Sequence, residues 1–305
     1  MVKNFPIRLH HLYGLLTLII LSYSCNHGKD KRFEEEKLDE SIFESQTIIG
    51  TITDKKLDEV SGLIASVKNP GYYWTHNDSG GKPWIYLIDT AGTIHFTVKL
   101  EAIKNRDWED ITMDKGNIYI GEIGDNDAKR KVYRIYQIVE PKMDSTSTYT
   151  VPRDSINKMK FMYENGPRDA ETLIYDYSND ELVIITKRDK DAFVYSFPFK
   201  PGKELQTIAP SGTIPFTRFT AGNSKPNGEF VIKNYDYIVY WKGSNKSILT
   251  RLMNESPVRI PYNSEPQGEA ITFTLDGDLI TATEKVEGFD QNILRFRRKS
   301  SRKQR

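Results

Sequence analysis

The chain has 305 residues, 38% of them apolar, and a formal net charge of +1. That length allows one large all-β domain or two ordinary domains. A charge so near neutral argues against nucleic-acid binding by the body of the protein and against a chain held open by self-repulsion.

In chain order, the first signal is Lys3 and Arg8 followed by "LYGLLTLIILSYS", Leu12 to Ser24. About thirteen apolar residues match a signal peptide and are too few to span a bilayer. Cys25 follows at once and is the sole cysteine, so no internal disulfide can form. The segment resembles the lipobox of bacterial lipoproteins, with Ser22-Tyr23-Ser24 as a relaxed version. The resemblance implies cleavage before Cys25, lipidation there, and a membrane-anchored protein of the bacterial cell envelope, at the outer membrane or cell surface. "NHGKDKRFEEEKLDE" has little to bury and reads as a flexible tether. The expected organisation is a signal peptide over 1–24, lipidated Cys25 with its tether over 25–44, a folded domain over 45–298 and a solvated basic tail over 299–305.

From Ser45 onward, short runs of Val, Ile, Tyr, Phe and Thr alternate with Gly, Asn, Asp and Pro, and no long stretch has helical periodicity. This predicts an all-β fold. "EVSGLIAS" from Glu59, "EDITMDKG" from Glu109, "ETLIYDYS" from Glu171 and "EAITFTLD" from Glu269 share one pattern: an acid, a small or polar residue, an apolar strand, a turn. A weaker copy begins near Asn223. Steps of 50, 62, 52 and 46 residues separate these starts, and a period near 50 with four strands per unit indicates a β-propeller of five blades. The last unit holds only three strands, so "SQTIIGTIT", Ser45 to Thr53, is expected to supply the fourth and close the ring. The long second unit, with "STYTVPRDSINKMKFMYEN", leaves six blades as the alternative.

Inner strands line the channel of a propeller, so the acids that start them would converge at one mouth. Two carboxylates about 6 Å apart repel by roughly 3 kcal/mol at an effective dielectric of 20, so the ring needs compensation. Three compensations stand open. Ca²⁺ would take the all-oxygen set Glu59, Glu109, Glu171, Asn223 and Glu269. Lys187, Arg188, Lys233 and Lys285, at or just beyond second-strand ends, would neutralise the acids by ion pairing. Protonation is the third. Zinc is disfavoured because the body holds just His76 and His95 and no cysteine. In "WTHNDSGG", His76 and Asp78 form a candidate catalytic pair with His76 as general base, against the plainer reading of a turn histidine bonded to backbone.

Taken as a set, "SGLIASVKNPGYYWTHNDSG", "DWEDI", "YIGEIGDN", "AETL" and "PQGEA" resemble secreted or lipid-anchored bacterial β-propeller proteins of largely unassigned function, with Glu122 standing where Asp is more usual. The resemblance implies the fold and carries no catalytic assignment. The architecture more distantly resembles calcium-dependent propeller hydrolases, the lactonases and phosphotriesterases, whose axial metal is held by Glu, Asn and Asp. The functional expectation is a ligand- or partner-binding module for a small molecule, glycan or protein. A calcium-dependent hydrolase is the alternative.

Overall fold

The computed structural model describes residues 38–300; the signal segment, Cys25 and the first part of the tether lie outside the described residues. Strand β1 (Thr47–Thr51) leads into blade I, built from β2 (Val60–Ala65), β3 (Tyr73–Asn77), β4 (Trp84–Ile88) and β5 (Ile94–Leu100). Blade II takes β6 (Trp108–Met113), β7 (Asn117–Glu122), β8 (Tyr133–Val139) and, after an excursion through β9 (Thr148–Val151), β10 (Asn157–Tyr163). Blade III is β11 (Ala170–Asp176), β12 (Glu181–Thr186), β13 (Ala192–Phe197) and, past β14 (Leu205–Ile208), β15 (Gly212–Ile214). Blade IV is β16 (Phe219–Ser224), β17 (Phe230–Asn234), β18 (Ile238–Trp241) and, after the short helix α1 (Ile248–Asn254), β19 (Val258–Ile260). Blade V is β20 (Gly268–Phe273), β21 (Leu279–Thr283) and β22 (Asn292–Phe296), completed by β1.

The expected closure is present: β1 pairs antiparallel with β22, placing Thr47 opposite Arg295 and Thr51 opposite Asn292. The long segment that left room for a sixth blade instead yields two strands, β9 and β10, which go to different blades. Strand β9 runs parallel to β5 at the edge of blade I, and β14 runs parallel to β10 at the edge of blade II. These added strands cover backbone edges that would otherwise be open.

Five apolar clusters, one per interface between neighbouring blades, replace a single central core. Alternating residues on one strand serve different neighbours: Trp74 packs with Trp108 and Tyr136 of blade II, while Tyr73 packs with Ala270 and Ile280 of blade V. Both faces of an inner blade strand are therefore buried, which is why these strands read as near-continuous apolar runs. The tether is shorter than the sequence suggested. Phe43 is fully buried in the interface of blades IV and V, edge-on to Tyr240, so the chain is anchored before residue 44.

Candidate functional site

The inner strands β2, β6, β11, β16 and β20 ring the axis, each packed on its neighbours. Every one carries a register irregularity near its start, spanning Val60 to Leu63, Trp108 to Asp110, Ala170 to Thr172, Phe219 to Ala221 and Gly268 to Ala270. A bulge re-aims the extra residue out of the ladder. The single residues skipped at four of the breaks are Glu109, Glu171, Thr220 and Glu269. In β2, Ser61 and Gly62 take that place.

Blades II, III and V therefore supply the convergent glutamates. Blades I and IV carry hydroxyls there that tie to the next blade: Ser61 Oγ donates to the Glu109 carbonyl at 2.6 Å and Thr220 Oγ1 to the Gly268 carbonyl at 3.1 Å. Glu59 lies outside the ring on the exposed rim, where burial and neighbouring Asp58 raise its carboxyl. Asn223 lies three residues beyond Thr220, near the far end of its strand. Its Oδ1 accepts from Phe273 N at 3.1 Å, repeating what Thr112 and Thr272 do for Tyr175 N and Ala65 N.

One half of the acidic mouth is neutralised from within. Lys187, at the end of β12, bonds Glu171, stands 4.0 Å from Glu269 and donates to Tyr235 Oη at 2.8 Å. Tyr235 in turn donates to Glu269. Burial alone would lower the Lys187 ammonium, but Glu171 and Glu269 outweigh it and raise it. Arg188 holds Asp169 at 2.5 Å. The ion-pair reading holds for Lys187 with Glu171, whereas Arg188 pairs with Asp169, an acid outside the repeat-start set. Buried Lys233, by contrast, serves blade V, donating to Tyr262 Oη and the Gly268 carbonyl beside Glu265.

The other half is different. Asp78, after β3, and Asp107 and Glu109 at the start of β6 place one carboxylate oxygen each within 4.8 Å of one another. Among the described residues their one ion-pair partner is Arg130, 2.9 Å from Asp107. The Oδ1 of Asp78 is buried with no hydrogen-bond partner among them. Desolvation, then Asp107 and Glu59, push Asp78 up to about 7. Burial first, then Glu171 and Asp78, raise Glu109 well above the carboxylate range. Glu284 stands nearby, pushed by burial and then Glu269 up to about 7. A second triad, Glu109, Asp169 and Glu171, has equally close oxygens but already holds Lys187 and Arg188.

Gly124 of the "GEIGDN" loop makes room for this cluster. A Cβ there would overlap Glu109 Oε1 and stand 2.8 Å from Asp107 Cγ. Other motif acids have structural partners. Glu122 accepts from Arg134 at 2.7 Å, Arg106 at 3.0 Å and Tyr136 Oη at 3.0 Å. Asp125 orders its own turn through Lys129 N and Arg130 N. Fully buried Asp110 accepts from Leu173 N and Gly222 N, tying β6 to β11 and β16 across the axis.

His76 is fully buried on β3, edge-on to Trp108, with Nδ1 3.0 Å from the Asn77 carbonyl. Its Nε2 forms no well-shaped hydrogen bond and lies against Gly62, where a Cβ would stand 2.9 Å from it. Burial lowers the imidazole to about 4 despite the nearby carbonyls of Asn77 and Asp110. The structure thus separates the expected pair: Asp78 faces the acids and His76 packs inside. The polar residues of "HNDSG" read as a turn, whereas His76 belongs to β3, a strand buried on both faces.

No family model and no curated protein matches the chain. Solved propellers are similar at the level of the fold. A PQQ-bound aldose sugar dehydrogenase from Streptomyces coelicolor is 9% identical with a TM-score of 0.47, covering 84% of this chain and 98% of that one. A gluconolactonase from Xanthomonas campestris is 8% identical, with a TM-score of 0.44 and coverage of 87% and 99%. A calcium-binding regucalcin from Agrobacterium tumefaciens is 8% identical, with a TM-score of 0.38 and coverage of 81% and 93%.

Proposed function

We propose that the protein is a lipid-anchored binding module of the bacterial cell envelope, held by Cys25, whose channel mouth is organised by one Ca²⁺ at Asp78, Asp107 and Glu109. The observation that carries this reading is the charge imbalance within one propeller mouth: three converging carboxylates share one guanidinium, while the adjoining triad has two cations of its own. An all-oxygen donor set suits a hard cation. The unpartnered Asp78 Oδ1 fits an ion in contact with these groups, and Gly124 lets the Glu109 and Asp107 carboxylates pack where a Cβ would stand. When bound, the cation would neutralise the cluster and offer open coordination positions to oxygen atoms of a ligand at the mouth. Binding is favoured over hydrolysis because buried His76 is not placed to activate a water there.

The test is calcium titration of chelator-treated protein, read by thermal unfolding and calorimetry. At a hundredfold excess over Kd a single site adds about 2.7 kcal/mol, which for a domain of this size is a rise of roughly 5–10 °C. Asp78→Asn should remove most of that rise. Identical melting with chelator and with millimolar Ca²⁺ would overturn the proposal. Turnover of lactones or phosphoesters by the calcium-loaded protein would replace the binding role with a hydrolytic one.

A further inference from the structure

Both ends of the folded chain leave the propeller at the face opposite the acids. Strand β20 starts beside Glu269 and ends at Phe273, which pairs with Leu279, and Leu279 pairs with Phe296 at the end of β22. Thr47, the start of β1, lies opposite Arg295 at the same level. Beyond these strand ends the entering and leaving segments stay together. Phe43 bridges to Arg298, Glu44 N donates to the Arg297 carbonyl at 2.8 Å, and Lys299 donates from N to the Ile42 carbonyl at 2.9 Å and from Nζ to the Glu40 carbonyl at 2.6 Å. Arg298 also donates to the Gly277 carbonyl in the β20–β21 turn at 2.8 Å. The chain that leads back to Cys25 and the basic C-terminal segment are thus rooted side by side, on the end away from the acidic mouth.

The side chains of this end suit an anionic interface. Exposed Arg297 and Lys299 are followed in sequence by Arg302, Lys303 and Arg305, with no acid from residue 297 to residue 305. Nearer the axis, Val67 and Leu275, each 52% exposed, line one cavity together with Lys115 and Lys225. Acids of the surrounding turns are matched: Asp278 by Arg295 at 2.5 Å, Glu229 by Arg298 at 2.8 Å, and Asp114 by Gly116 N, Asn117 N and Tyr119 Oη. Asp180 accepts from Tyr175, and Asp276 is the exposed acid beside Leu275. Half-exposed apolar tips among cations match the headgroup level of a bilayer, where the tips enter the interface and the cations meet phosphates. The acidic mouth, at the other end, would be repelled by the same surface.

We infer that the end of the propeller bearing Val67, Leu275 and the basic segment from Arg297 docks on an anionic phospholipid surface and turns the acidic mouth away from the membrane. The outward orientation rests on the anchorage proposed at Cys25; the lipid contact does not.

The two are scored separately. Cys25 is the sole native cysteine, so in membrane-extracted protein carrying Leu275→Cys an environment-sensitive thiol dye labels one site if Cys25 is lipidated and two if it is not. That count tests the anchorage alone. The labelled protein is then placed in vesicles of phosphatidylcholine, with or without phosphatidylglycerol; if two sites label, Cys25→Ser restores single labelling and the protein is mixed with preformed vesicles. Dye at position 275 should brighten at least twofold when phosphatidylglycerol is present, whereas dye on Asp127→Cys, exposed in the loop after β7 at the acidic end, should not change. Each cation near an anionic surface strengthens attachment roughly fivefold, so reversing three of them, with Arg302→Glu, Lys303→Glu and Arg305→Glu together, should abolish the brightening. Val67→Cys reports on the same face if Leu275→Cys fails to fold. Equal brightening at 275 and 127, no dependence on phosphatidylglycerol, or a full response in the triple variant overturns the docking.

Discussion

Replacing Lys187 by Met removes the internal cation of the acidic mouth and leaves its two glutamates facing each other. Side-chain exposure is 10% for Lys187, 7% for Glu171 and 6% for Glu269, so water replaces little of what is lost. At the 4.0 Å separation from Glu269, a unit pair is worth about 4 kcal/mol at an effective dielectric of 20. Removing one member of a buried pair typically costs about 3–5 kcal/mol because the other is left uncompensated. Against a total stability of about 5–15 kcal/mol, Lys187→Met should lower the urea midpoint severely. Burial already raises Glu171 despite Lys187, and losing the lysine raises it further. A carboxyl raised on folding favours the folded state at low pH and costs stability as pH climbs above its unfolded value. The deficit of the variant should therefore be larger at pH 8 than at pH 5. Adding Glu171→Gln to Lys187→Met should recover part of the loss, since the remaining buried charge is halved. A loss below about 1 kcal/mol for Lys187→Met, or strict additivity in the double variant, would refute the bridging role.

Two further outcomes follow from the same geometry. Gly124→Ala drives a methyl into the Glu109 carboxylate; overpacking should cost about 1–3 kcal/mol and abolish the calcium-induced rise in melting temperature, whereas a full calcium response would show that the loop does not shape the site. Arg298, just past β22, grips Glu229 of blade IV with two bonds of 2.8 and 3.0 Å, and this pairing wins over burial to hold Glu229 below the usual carboxylate range. That stabilisation is present above the unfolded value near 4.3 and is lost as pH falls through the folded one, so Glu229→Gln should cost about 2 kcal/mol at pH 7 and much less near pH 3. An equal gap at both pH values in urea unfolding would place its origin elsewhere.

The five-blade ring was legible because blade strands must be apolar on both faces and turns must be polar, which prints a period near 50 onto the chain. Closure by β1 followed from a simple strand count. The register within each repeat was harder to read. Searching for acids picks Glu59 and starts the weaker, acid-free copy at Asn223, whereas aligning Val60 and Phe219 with Trp108 and Gly268 places Ser61 and Thr220 opposite the glutamates. Hydroxyls can replace a glutamate at a bulge because either can reach across to a neighbouring strand, so residue type alone does not mark the position. The pairing of Lys187 with Glu171 and Glu269 was foreseeable only as charge balance, since which acids a lysine meets depends on the rotation between blades. The inward turn of His76 was hidden by its polar neighbours.

The contact that shuts the ring joins Thr47 to Arg295, nearly the whole length of the folded chain apart. Such a contact carries a large loop-closure cost and forms only after the intervening blades exist. Until β22 and β1 pair, blades I and IV each lack the neighbour that buries one apolar face, and an uncovered face of that kind is a site for misassembly and aggregation.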